Sequence, residues 1–349
     1  MSPTIKIPKG FSLVELMIGL SLGLIGMLIV SQVLNLSGKY QTTISAAGEA
    51  QAIGNFSLYT IERELKQAGF GITNPTLLGC QLNAYDNSVT PVNVIARTLY
   101  PVDIQDSASA DGVSDTLAVA YGTSEIRIGP VVLVNAYDGS NADLNIQNRF
   151  GFLTGDFFLL GELTTPATPC VLGQISSLPL PSNGTAVSHK PLDNNITYRY
   201  NTSTGSGTSF NANVGEIFDL GKKFNINTYS VNANRQLVQQ SALTGTSLVI
   251  ADNVLAFKAL YGHDTNADGT VDTWDTVIPA NAAGWAATTN VRMGMAVKSP
   301  QREPGLVTGS PLSLWPNGPA ITLSAEDQHY RYRTYNVVVP LGNMIWRSF

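Results

Sequence analysis

The sequence predicts an α+β chain in which one long N-terminal helix leads into a β-rich head with extended loops. Three observations predict it. From Phe11 to Leu36 the only ionisable side chain is Glu15. Apolar residues then recur at helical spacing to about residue 70, and after Gly71 the pattern changes to period two. Helix first and strands afterwards is the order of an α+β fold. The 349 residues carry a net charge of −5, and only 13% are charged. Sparse charge with abundant Gly, Asn, Ser and Thr suits strands joined by surface loops better than a helical bundle. No basic stripe marks a nucleic-acid site.

Twenty-six helical residues span roughly 39 Å, against about 30 Å of hydrocarbon in a bilayer. Lys6 and Lys9 precede the run and Lys39 follows it, so the positive-inside rule puts the short N-terminus in the cytoplasm and the remainder outside. A secretory signal would be shorter and would end in a small-residue cleavage site, which is not clear here. A plain signal anchor would leave Glu15 unexplained. A carboxylate in hydrocarbon costs about 2.5–3.5 kcal/mol on insertion scales and usually has a partner and a task.

Proteolysis between Gly10 and Phe11 accounts for all of these features. It removes the basic leader and creates an α-amine one helical turn before Glu15. Glu15 can then pair with that amine or with the amine of a neighbouring subunit. The stretch Lys9-Gly10-Phe11-Ser12-Leu13-Val14-Glu15 with its apolar run resembles the class III signal of type IV prepilins and type II secretion pseudopilins. The resemblance implies cleavage after Gly10 by a prepilin peptidase, methylation of the Phe11 amine, and docking guided by Glu15. Four segments result: a leader, 1–10; a transmembrane half-helix, 11–36; an amphipathic half-helix, 37–70; and a β-rich head, 71–349. No proline lies between Pro8 and Pro75, so no proline-induced melt of the packed helix is expected. Gly19 and Gly23 form a small-xxx-small pair that permits close helix approach. The alternative, that glycine is simply common in membrane helices, stands beside that reading.

The amphipathic half places Ile44, Ala47, Leu58, Ile61, Leu65 and Ala68 on one stripe. Glu62 and Lys66 form a favourable i,i+4 pair. Gly69 is expected as the C-cap, and Pro75 prevents the helix from resuming. Beyond it, Leu117, Val119 and Tyr121 alternate with alanines, and Phe157 to Leu163 reads as a buried strand. Val291, Met293, Met295 and Val297 share a face opposite Arg292 and Lys298. Tyr335, Val337, Val339 and Leu341 alternate, with Pro340 marking an edge or an end. Loops run from Asn201 to Gly215 and from Pro300 to Pro319.

In order, TIERELKQAGFG, SDTLAVAYG, LYGHDTNADGTVD, VRMGMAVKSP and RYRTYNVVVPLGNM resemble the PilW family of minor pilins, relatives of the J-type minor pseudopilins of type II secretion. That likeness implies a pilin-like fold, the long helix packed on an antiparallel sheet. It implies a place in the inner membrane, the head in the periplasm, and later a place in the extracellular pilus. The implied partners are other minor pilins, the major pilin, the inner-membrane assembly platform and a tip adhesin. The implied roles are priming of assembly, adhesion and twitching motility. A type II secretion pseudopilin, or a membrane-anchored calcium-dependent protein that never polymerises, are the alternatives.

Asp264, Asn266, Asp268, Thr270, Asp272 and Asp275 follow the ligand order of a twelve-residue calcium loop, with Gly269 at its turn. Asp275 is one methylene shorter than the usual glutamate, and the residues before the loop read as a strand. The expectation is an isolated calcium loop between strands, with an Asp/Asn/Gly-rich hairpin that binds nothing as the alternative. Cys80 and Cys170 lack zinc or redox spacing. In an oxidising compartment they are expected to pair, stapling the helix–sheet connection to a later strand with about 4–5 kcal/mol of loop-closure entropy. In a cytosol they would be two buried thiols. His189, His263 and His329 form no recognisable metal or catalytic spacing, and no nucleophile elbow, phosphate loop or dinucleotide pattern occurs. No enzymatic activity is expected.

Overall fold

The computed structural model describes residues 10, 12–88, 93–109, 111–140, 143–162, 169–179, 185–202 and 206–345. The long helix, α1, spans Leu13–Leu65, 53 residues. Its first 26 residues, Leu13–Gly38, have a mean hydropathy of 2.4, and none of that stretch is buried within the chain. The head takes hold only in the second half, where Ala50, Leu58, Ile61, Leu65 and Ala68 are buried. Two expectations are corrected here. Ile44 is exposed, since among the described side chains of the helix burial begins at Ala50. The α-helix ends at Leu65, not at Gly69. Gln67 and Ala68 donate to Glu64 and Leu65, three residues back, so the last turn tightens to 3-10 spacing before Gly69 turns left-handed at φ 74°. Lys66 Nζ does pair with Glu62 Oε1, at 2.7 Å. Ala47 lies among residues whose side chains are outside the described set.

Three large sheets follow. The six-stranded sheet runs in the order Asn93–Thr98, Gln81–Asp86, Cys170–Gln174, Phe157–Glu162, Gly215–Gly221, Val131–Val132. The five-stranded sheet runs Ser247–Ala251, Leu237–Ser241, Asn225–Val231, Thr116–Tyr121, Val102–Gln105. The four-stranded sheet runs Thr273–Asp275, Val254–His263, Thr288–Arg302, Tyr330–Pro340. All pairings within them are antiparallel except that of Gln81–Asp86 with Cys170–Gln174, which is parallel with Leu82 opposite Cys170. The architecture is α+β and pilin-like, with mostly antiparallel sheets.

The side-chain period explains the layering. Phe157, Leu159, Leu172 and Phe218 join the main core, which also holds Ile61 and Leu65 of α1. Their alternates Phe158, Leu160, Val171 and Ile217 join a second core with Leu133, Ile146 and Phe210. The six-stranded sheet is therefore covered on both faces, and FFLLGE reads as a continuous apolar run for that reason. A third cluster, with Leu255, Ala296, Leu314, Trp315 and Leu323, seals the other face of the four-stranded sheet. Val291, Met293, Met295 and Val297 are fully buried in the main core, as the alternation predicts. Arg292 points the other way and lies 4.7 Å over the Trp315 ring.

Two contacts fix α1 to the head. Gly54 lies under the ring of Tyr335, where a Cβ would overlap the ring, and the Tyr335 hydroxyl donates to Ala50 O at 3.1 Å. On the other flank the buried carboxylate of Glu64 accepts from Asn227 Nδ2 at 3.0 Å and Gln239 Nε2 at 3.1 Å.

Candidate assembly helix and acidic loop

Helix α1 begins with a reciprocal cap. Ser12 Oγ accepts from the Glu15 amide at 3.5 Å, and the Ser12 amide donates to Glu15 Oε2 at 3.4 Å. Both bonds are at the long end of the range, and both satisfy donors that a helix start leaves open. The Ser12-x-x-Glu15 signal for this cap stands in the sequence, and reasoning from the membrane charge alone missed it. In the unprocessed chain, then, the Glu15 carboxylate faces its own backbone. Residues 1–9 and Phe11, which carry the expected leader and methylated amine, lie outside the described residues. Gly10 has open space where a Cβ would stand.

Spacing of four brings Glu15, Gly19 and Gly23 to one face. With Leu16, Leu20, Leu24 and Met27 they line a shallow apolar groove whose one charged group sits at its N-terminal end. Gly19 and Gly23 have nothing within 4 Å of a notional Cβ. A second helix can approach there without backbone rearrangement.

The acidic loop leaves the end of strand Val254–His263 and returns as Thr273–Asp275. It closes on itself. Asp264 accepts from the amides of Asp268 and Gly269 at 3.2 and 2.8 Å. Asp268 accepts from the Thr270 amide at 2.8 Å and from the Thr270 hydroxyl, and Asp272 accepts from Thr265. These bonds hold the carboxyls of Asp268 and Asp272 below the usual carboxylate range, through Thr270 and Thr265 respectively. Asn266 Nδ2 reaches Asp268 and Asp272 at 3.2 and 3.4 Å. Asp275, expected as the last ligand, is instead engaged by His263 Nε2 at 3.2 Å and the Val277 amide at 2.9 Å, because strand pairing places it opposite Tyr261. Among the described residues, no group of three or more His, Cys, Asp or Glu side chains is gathered closely enough to hold a metal ion. The donor set therefore fits calcium in part: the loop residues share one turn, and Asp275 is committed elsewhere.

Cys80 and Cys170 are joined by a disulfide, and the parallel strand pair lies directly beside it. Of the histidines, His263 ends its strand between Asp275 and Thr288, and His329 lies 3.1 Å from the carbonyls of Glu303 and Gly305. His189 is buried edge-on to Tyr137 and Phe158. A cleft rimmed by Ile126, Leu153 and Lys223 has Asp156 and Asp219 in its lining. Burial pushes the Asp219 carboxyl up, although Ser124 Oγ donates to it at 2.5 Å.

Residues 223–343, about a third of the chain, match the family Type IV Pilus-assembly protein W. Residues 6–31 match the Prokaryotic N-terminal methylation motif. No curated protein and no solved structure matches the chain. The first match takes in the acidic loop and the strands that grip α1, and the second takes in Gly10, Phe11 and Glu15. With an apolar helix beside a mostly antiparallel head, the chain carries a prepilin-type N-terminal signal and is similar to the PilW family over its C-terminal third.

Proposed function

We propose that the chain is a minor pilin that enters the type IV pilus through α1 and primes assembly near the tip, supporting adhesion and twitching motility. One observation carries this reading: a single unbroken helix, bare over Leu13–Gly38 and gripped by the head from Ala50, with one carboxylate at its start. A prepilin peptidase cuts after Gly10 at the inner membrane and the Phe11 amine is methylated. The released amine, or that of a neighbour, then competes with the Ser12 amide for Glu15, and lateral docking along the Gly19–Gly23 face neutralises the buried charge. The partners are other minor pilins, the major pilin and the assembly platform, with a tip adhesin as cargo. The head acts as a binding body, not as an enzyme.

Glu15→Ala should leave a cleaved, membrane-held protein that is absent from sheared pili. Wild-type recovery of that variant in the pilus fraction would remove the docking role. Calcium at the acidic loop is a separable part of the proposal, supported by the ligand order from Asp264 to Asp272. Binding requires Asp275 to leave His263 or a water to take its place. Titrating the detergent-solubilised protein with millimolar calcium should raise its melting temperature, and Asp268→Ala should abolish the rise.

A further inference from the structure

Five Asn-x-Ser/Thr sequences without an intervening proline occur, at Asn35, Asn55, Asn183, Asn195 and Asn201. Such triplets accept N-linked glycans when they sit on an exported surface. In a chain this rich in Asn, Ser and Thr the triplet alone discriminates little. An oligosaccharyltransferase of acidic-sequon specificity asks for an acidic residue two positions earlier as well. Only Asn195 has one, in Asp193-Asn194-Asn195-Ile196-Thr197.

The structure separates the described candidates independently. Asn35 lies in the apolar span. Asn55 lies inside α1, and its Ser57 is buried and bonded to Ile53 O at 2.7 Å. Asn201 is 2% exposed, and its Nδ2 donates to the carbonyls of Gln174 and Lys190. Asn195 is the second residue of a two-residue hairpin turn between Leu192–Asp193 and Ile196–Thr197. Asn194 and Asn195 have φ of 48° and 63°, the pattern of a type I′ turn. Asn194 through Thr197 are all exposed. The base of the hairpin is held: Tyr198 is buried with its hydroxyl on Ser176 O at 2.9 Å, and Arg199 grips Asp86 at 2.7 Å. Among the described residues the tip is held by its own two short strands, which an enzyme can open at small cost.

We infer that Asn195 is an acceptor for N-linked glycan transfer from a lipid-diphosphate-linked oligosaccharide. The Asn195 carboxamide nitrogen forms a bond to the anomeric carbon of the sugar and gives up one proton. The bond from that carbon to the diphosphate oxygen breaks, and the lipid diphosphate leaves with the electron pair. Thr197 and Asp193 are the recognition residues. The attached glycan would stand at the tip next to Ile196, which is 55% exposed. The inference rests on export of the head, and the test scores export separately through the Cys80–Cys170 disulfide.

The full chain is co-expressed in a periplasm-containing host with a bacterial oligosaccharyltransferase of acidic-sequon specificity and its lipid-linked oligosaccharide. Intact-mass and peptide mass spectrometry are read on material whose disulfide is closed. The expected result is an added mass of one glycan at Asn195, lost in Asn195→Gln, Thr197→Ala and Asp193→Ala while the disulfide persists. Disulfide-bonded protein with no added mass, or with glycan at Asn201 or Asn55, overturns the proposal. An open disulfide in every sample marks failed export and counts against the pilus reading instead.

Discussion

Arg199 donates to both oxygens of Asp86, at 2.8 and 2.7 Å, and Asp86 is almost wholly buried. The guanidinium, aided by Ser88, holds the Asp86 carboxyl far below the usual carboxylate range against the opposing effect of burial. A depressed pKa in the fold contributes stability that is complete above the unfolded value, 3.8, and is lost as the pH falls through the folded one. Arg199→Ala should therefore cost roughly 1–3 kcal/mol at neutral pH, as for a buried acceptor losing a charged partner. Its gap from the parent should start to narrow as the pH falls below about 4 and should keep narrowing down to the lowest pH the fold survives. Thermal melts across that window check both the size and the sign.

At the scale of elements, the junction between α1 and the head turns on one missing side chain. Adding a Cβ at Gly54 drives it into the Tyr335 ring, which the hydroxyl bond to Ala50 tethers in place. Gly54→Ala should cost roughly 1–3 kcal/mol through overpacking. Gly48→Ala, two turns earlier with open space around it, should be neutral or should stabilise by up to about 1 kcal/mol. Comparing the two melts separates packing from helix propensity. The helix itself was legible because its apolar run is too long for any other element. Its grip on the head was legible at Leu58, Ile61, Leu65 and Ala68, but the point where that grip begins was not. Ile44 keeps the stripe's spacing, but it stays 71% exposed at the margin of the head. The strands Val254–His263 and Thr288–Arg302 were legible from alternation. Val131–Val132, Asp143–Asn145 and Ala186–Ser188 were not, since two or three residues hold too few periods to read. At the acidic loop the spacing was readable, whereas the commitment of Asp275 to His263 depends on strand register, which local sequence does not encode.

Among the described residues the molecule has three cores divided by sheets, and one covalent tie between distant segments. Cys80 and Cys170 are 90 residues apart, and the strands they flank pair in parallel. Parallel pairs need long crossovers and gain little from local contacts. Replacing both cysteines by serine should thus destabilise the head by about 2–5 kcal/mol. Denaturant unfolding of parent and variant measures the loss. The sequence allowed either a bridge or two thiols, and its apolar patterns held no sign that the flanking strands run in the same direction.

That bridge also sets how the protein responds to a pull. Tension reaching the head through the helix meets Cys80 early, and with the sulfurs joined the segment between them, a separation of 90, cannot unravel into the line of force. About 300 Å of contour length is thereby withheld, at some 3.3–3.6 Å per residue. A tethered chain stretched under oxidising conditions should lengthen in a shorter first step than the same chain treated with reductant.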